Sequence, residues 1–178
     1  MLDVSALSKP STILQADFLK PFGKAFNHLN ISIIMHPLIL ARHAQYSCAN
    51  LIVNLGPGYI LSPEGNDQAS AMGLRVISFL PSSYRAISLF CYDEPVCNQT
   101  AELVRARLKV RSNKIQDVQP GLLEAELEHS PTMIIASAEQ ITPLVEHFAS
   151  AYGCFTDIGY PPRGGGFLFA KNGILRLI

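Results

Sequence analysis

Cysteine, histidine and a glycine-flanked arginine are the residue types in this chain that could do covalent or ionic chemistry. A cysteine nucleophile needs a lowered thiol pKa and a base within reach. Cys154 follows Gly153 and begins a predicted strand close to Asp157, so it is the first thiol to consider. Cys97 lies near the start of a predicted helix, where the dipole would favour its thiolate. Asp93 and Glu94 stand just upstream, and their negative charge opposes ionisation. Cys91 alternates with Leu89 in a predicted strand and faces the core. His43, leading a β-prone run, is the base that Cys154 or Cys97 would require. The candidate catalytic set is therefore Cys154, His43 and Cys97.

The second site is the segment Asp157-Ile158-Gly159-Tyr160-Pro161-Pro162-Arg163-Gly164-Gly165-Gly166. Consecutive glycines let backbone amides approach a ligand, and a guanidinium can pair with phosphate or carboxylate through two parallel hydrogen bonds. Asp157, Arg163, Gly164, Gly165 and Gly166 are thus the candidate ligand-binding residues, and an anionic small molecule is the partner they suit. The plain alternative is a connection into the last hairpin. No GK[ST] follows, and the loop leads into a strand rather than a helix, so it is neither a P-loop nor a dinucleotide fingerprint.

Other clusters have structural explanations. Glu64 and Asp67 fit a polar loop between strands. His28, His36 and His43 are spaced for neither HExxH nor a zinc finger, so no metal and no cofactor is expected. Arg105, Arg107, Lys109, Arg111 and Lys114 form a basic stretch without interleaved aromatics, which suits a solvated helix face better than nucleic acid. From His43 through Gly58-Tyr59-Ile60-Leu61 and Gly73-Leu74-Arg75-Val76-Ile77 to Tyr84-Arg85, the strand order is similar to that of circularly permuted papain-like hydrolases. The pattern departs where Cys97 directly follows the strand at 84–92, since that family interposes a helix. The chain is not assigned to it.

The elements that must position these residues read as follows. Residues 1–10 are an irregular lead-in, followed by helical spacing from Ser11 and a strand at Ile31 to Met35. Tyr46 to Leu55, Tyr59 to Leu61, Leu74 to Leu80 and Tyr84 to Tyr92 read as strands of an antiparallel meander. Asp93-Glu94-Pro95 opens a helix to about Lys109, Leu122 to His129 is a short helix, and Thr132 to Ser137 is a buried strand. Thr142-Pro143 supplies a cap and first-turn proline for the next helix. Lys171-Asn172-Gly173 between two apolar runs predicts a hairpin. The fold class is α+β over 11–178: one domain, a mixed sheet with an antiparallel first half, helix–strand alternation in the second half and a C-terminal β-hairpin.

Composition narrows the function. The 14 basic and 14 acidic side chains cancel, and charged residues make up only 16%, so neither a disordered chain nor a uniformly basic nucleic-acid binder fits. No apolar run approaches the ~20 residues of a membrane helix, and no secretory signal is visible, so a cytoplasmic protein with reduced cysteines is expected. Two functions follow. One is a ligand-binding or protein-interaction domain, self-associating through its exposed last strand. The other is a cysteine- and histidine-dependent hydrolase or transferase acting on an anionic substrate.

Overall fold

In the strand Leu38–Arg42 (β1) the four residues from Leu38 to Ala41 are all buried, which requires cover on both faces of its sheet. The computed structural model that shows this describes residues 36–49, 58–80, 86–108, 126–151, 159–170 and 173–177. The lead-in at 1–10, the helix from Ser11, the strand at Ile31 to Met35, Cys154 and Asp157 lie outside the described residues.

After β1 come Tyr46–Ala49 (β2), Gly58–Leu61 (β3), Pro63–Phe79 (α1), Ser88–Cys91 (β4) and Pro95–Leu108 (α2). Thr132–Ala136 (β5), Ala138–Ala151 (α3), Gly166–Ala170 (β6) and Gly173–Leu177 (β7) complete the order. The main sheet runs β4-β5-β1-β6-β7. β4, β5 and β1 are parallel, while β6 pairs antiparallel with β1 and β7 with β6. Strand side chains alternate between faces. Leu38, Leu40, Phe90, Ile134, Phe167 and Phe169 therefore meet Ile141, Leu144 and Phe148 of α3. On the opposite face Ile39, Leu89, Met133 and Ile135 meet Met72 and Val76 of α1 and Val96, Ala101 and Val104 of α2.

The α+β class, the mixed sheet and the C-terminal hairpin are as the sequence implies. Among the described residues, β2 and β3 are the first-half strands that pair antiparallel with each other, while β4 runs parallel to β5. The strand expected at Leu74 to Leu80 is instead the end of α1. Ser62 accepts a hydrogen bond from the Gly65 amide at 3.0 Å and Pro63 occupies the first turn, so the supposed polar loop at 62–67 is a capped helix start. Buried Gly65, Ala69, Met72 and Val76 carry the helical period, while Leu74, Ile77 and Phe79 are exposed and counterfeit an alternation. The helix expected from Thr142-Pro143 starts earlier, at Ala138, with Pro143 inside it. Gln140 Oε1 accepts from the Ser137 amide at 2.9 Å, the glutamine half of a Ser-x-x-Gln capping box, and this outweighs the proline signal.

Candidate active site

Because β4, β5 and β1 are parallel, their carboxyl ends leave the sheet along one edge, the usual place for a ligand in a sheet of this kind. Arg42 ends β1 and His43 follows it, Glu94 follows β4, Ser137 follows β5, and antiparallel β6 begins at the same edge, three residues after Arg163. These side chains, with Tyr46, Tyr59, Val96, Ala138 and Glu139, line one cavity of about 450 Å³.

His43 is held from several directions. Its amide donates to Ala136 O at 3.0 Å and its carbonyl accepts from the Gly164 amide at 3.1 Å. The next amide, of Ala44, donates to buried Thr100 Oγ1 at 3.1 Å, and the Gln45 amide donates to Gln68 Oε1 at 2.9 Å. The ring itself is pinned: Nδ1 lies 2.8 Å from Ala44 O, so Nδ1 carries the proton and Nε2 is the basic nitrogen. Burial is the main cause that lowers the His43 pKa, assisted by the positive charges of Arg42 and Arg163. The site thus holds a neutral imidazole with a defined tautomer.

Two guanidinium groups flank it. Arg42 Nε is buried with no hydrogen-bond partner among the described residues, and Nη1 makes only a 3.5 Å contact with Pro161 O. Burial, and then the charge of Arg163, lower the Arg42 pKa, and both guanidinium groups line the cavity that also holds the Glu94 and Glu139 side chains. Arg163 lies over the Tyr46 ring at 4.9 Å. Glu94 Oε1 accepts from Gln140 Nε2 at 2.8 Å, which orients the carboxylate.

The candidates from sequence separate. His43 and Arg163 line the same cavity. Gly164, Gly165 and Gly166 pack the loop closely against its neighbours. Gly164 sits at φ +70°, its amide is bound to His43 O, and a Cβ there would fall 2.7 Å from Gln68 Cβ. The Gly165 amide is bound to Pro162 O, and a Cβ on Gly166 would lie 2.6 Å from Leu40 O. The glycines let the loop press against β1 and α1, which delivers Arg163. Cys97 is fully buried, and burial together with Glu94 pushes its thiol far above the ordinary range. Both effects disfavour the thiolate that a cysteine nucleophile needs. Cys91 Sγ donates to Asn98 Oδ1 at 3.3 Å, and neither Cys91 nor Cys97 is joined in a disulfide among the described residues. No metal-binding group of three ligands occurs among the described residues, and no helix among them is long and apolar enough to cross a membrane. Arg42, Glu94, Tyr46, Tyr59 and Thr100 went unread; the clearest available signal was Arg-His closing the apolar run Leu38-Ile39-Leu40-Ala41.

In sequence the chain matches no protein-family model and no curated protein. In structure it is similar to a protein assigned as the phosphohistidine phosphatase SixA from Agrobacterium tumefaciens, with TM-score 0.55 and 15% identity over 75% of this chain and 90% of that one. It is also similar to a phosphoserine phosphatase from Entamoeba histolytica solved with 3-phosphoglyceric acid, with TM-score 0.53 and 12% identity over 80% and 95% of the chains. A mycobacterial glucosyl-3-phosphoglycerate phosphatase solved with VO3 gives TM-score 0.50 and 13% identity over 79% and 96%. The chain has the fold of these phosphatases.

Proposed function

We propose that the chain is a phosphomonoester hydrolase working through a phosphohistidine on His43. The observation that carries this reading is the pinned imidazole: Nδ1–H is spent on Ala44 O, which leaves Nε2 basic in a cavity shared with Arg42 and Arg163. Support also comes from fold neighbours named as phosphatases. Of the two functions drawn from sequence, the hydrolase acting on an anion is therefore preferred over the interaction domain, and its nucleophile is a histidine instead of a cysteine.

Arg42 and Arg163 hold the phosphoryl oxygens, since guanidinium groups match phosphate geometry and offset its developing charge. Nε2 attacks phosphorus; an N–P bond forms as the ester P–O bond breaks, and the leaving oxygen takes a proton from Glu94. Water then attacks the phosphohistidine, giving its proton to Glu94. Phosphate leaves, and the imidazole is regenerated with Nδ1–H still in place.

Incubation with p-nitrophenyl phosphate tests this directly. The expected result is release of p-nitrophenolate and, after an alkaline quench, an acid-labile phosphoryl adduct on the His43 peptide by mass spectrometry. Both disappear in His43→Ala. A folded protein that gives neither product nor adduct sinks the reading.

One observation favours a second reading, a site that binds phosphate without turnover. Val96, Ser137 and Ala138 leave part of the cavity wall uncharged, and Arg163 stands on an exposed position of its loop. Binding of a phosphonate with no hydrolysis of any ester is its signature. Self-association through β7, an edge strand of the main sheet, is a separate proposal, checked by light scattering at several concentrations.

A further inference from the structure

The cavity is much larger than a phosphoryl group, and its remaining walls differ in chemistry. The β2–β3 hairpin contributes two aromatic rings. Tyr46 and Tyr59 pack edge to face with centroids 5.3 Å apart and planes at 85°, and Tyr59 is 43% exposed. Core packing does not account for a tyrosine that lines a cavity at this exposure. The hairpin is held in place by Gln99 of α2, whose Oε1 accepts from the Leu61 amide at 3.0 Å and whose Nε2 donates to Tyr59 O at 3.2 Å. The aromatic wall is therefore fixed relative to His43, because Thr100, the neighbour of Gln99, holds the Ala44 amide. The ends of β4 and β5 contribute a different wall, with the carboxylates of Glu94 and Glu139.

From these two walls we infer that the preferred substrate is an aryl phosphate: a phosphomonoester whose leaving group is a flat ring carrying no second anion. The inference rests on the hydrolase reading and adds the substrate class to it. A ring that stacks on Tyr59 while its phosphate lies between Arg42 and Arg163 uses both ends of the cavity. A leaving group with its own carboxylate or second phosphate would meet the Glu139 carboxylate, and like charges in a partly desolvated site repel. Tyr59 and Glu139 are then specificity-determining residues.

The test compares phenyl phosphate, ethyl phosphate and 3-phosphoglycerate by kcat/KM, and phenylphosphonate against methylphosphonate by calorimetric Kd. Wild-type protein should favour phenyl over ethyl phosphate beyond the difference in their intrinsic reactivity, and phenyl- over methylphosphonate by about tenfold in Kd. Tyr59→Ala should collapse the phosphonate ratio, and Tyr59→Phe should retain it, because stacking needs the ring and not the hydroxyl. Glu139→Gln should raise kcat/KM for 3-phosphoglycerate relative to phenyl phosphate by roughly threefold. Equal Kd values for the two phosphonates, or a ratio untouched by Tyr59→Ala, overturn the inference even if esters are hydrolysed. Aryl-selective phosphonate binding without hydrolysis of any ester keeps the ligand class and removes the hydrolase reading instead. Failure to bind either phosphonate overturns both.

Discussion

Two buried nucleophile candidates sit at the same edge of the sheet, and burial has opposite consequences for them. His43 follows β1; Cys97 lies in the first turn of α2, and Glu94 acts on both. Removal from water disfavours whichever form is charged. For an imidazole the charged form is the unreactive one, so burial keeps His43 as a free base. For a thiol the charged form is the nucleophile, so burial and Glu94 together disfavour the reactive form of Cys97. The same low-dielectric setting, with one carboxylate nearby, favours the reactive form of a histidine and disfavours that of a cysteine.

The contrast breaks first at His43. His43→Ala should lower kcat for p-nitrophenyl phosphate at least ~10³-fold, as expected when a covalent nucleophile is lost. Retained activity in that variant, measured with the purified folded protein, would return the cysteines to consideration. Arg163→Ala should cost about 10- to 100-fold in kcat/KM, in line with losing one charge-assisted contact to a phosphoryl group. If Arg163 only stacks on Tyr46, the loss will stay below threefold.

A pH series sharpens the comparison further. The folded pKa of His43 is lowered from 6.5, so the reactive neutral form persists as pH falls through 6.5. The acid limb of kcat/KM should therefore lie below pH 6.5 if His43 governs it. A limb at or above 6.5 means that the imidazole is not held neutral by its surroundings. Thr100→Val keeps the shape but leaves the buried Ala44 amide without an acceptor. Denaturant unfolding should report a loss of about 1–3 kcal/mol. The smallest effect belongs to the other candidate: Cys97→Ala should change kcat by less than about twofold, and alkylation of native Cys97 should be far slower than that of a free thiol.

What could be read from the chain, and what could not, follows from the range of the forces involved. β5 and the C-terminal hairpin are legible because a continuous apolar run and an Asn-Gly turn are local signals. α2 is legible from Pro95 and the basic residues of its last turn. α1 is not, because Leu74, Ile77 and Phe79 lie exposed on a helix whose buried stripe includes the weakly hydrophobic Gly65, Ala69 and Gly73. Of the site, His43 and Arg163 stood out by residue type alone. Their meeting did not, since it depends on β1 pairing with β6 across most of the chain. Cys97 looked reactive from its helix position, and only its depth in the core reverses that. The glycines beside Arg163 were visible, but their purpose, close approach to Leu40 and Gln68, needs coordinates.

The hydrogen bonds that fix His43, to Ala136 O and from the Gly164 amide, also bear on how the chain acquires activity. Both partners are distant in sequence, and contacts of long sequence separation are slow to form. A refolding chain could therefore regain its helices, and with them most of its circular-dichroism signal, while the imidazole still lacks a fixed backbone. The proposed activity would then return with the closing of β6 onto β1, and its lag behind the helical signal would time the last step of assembly.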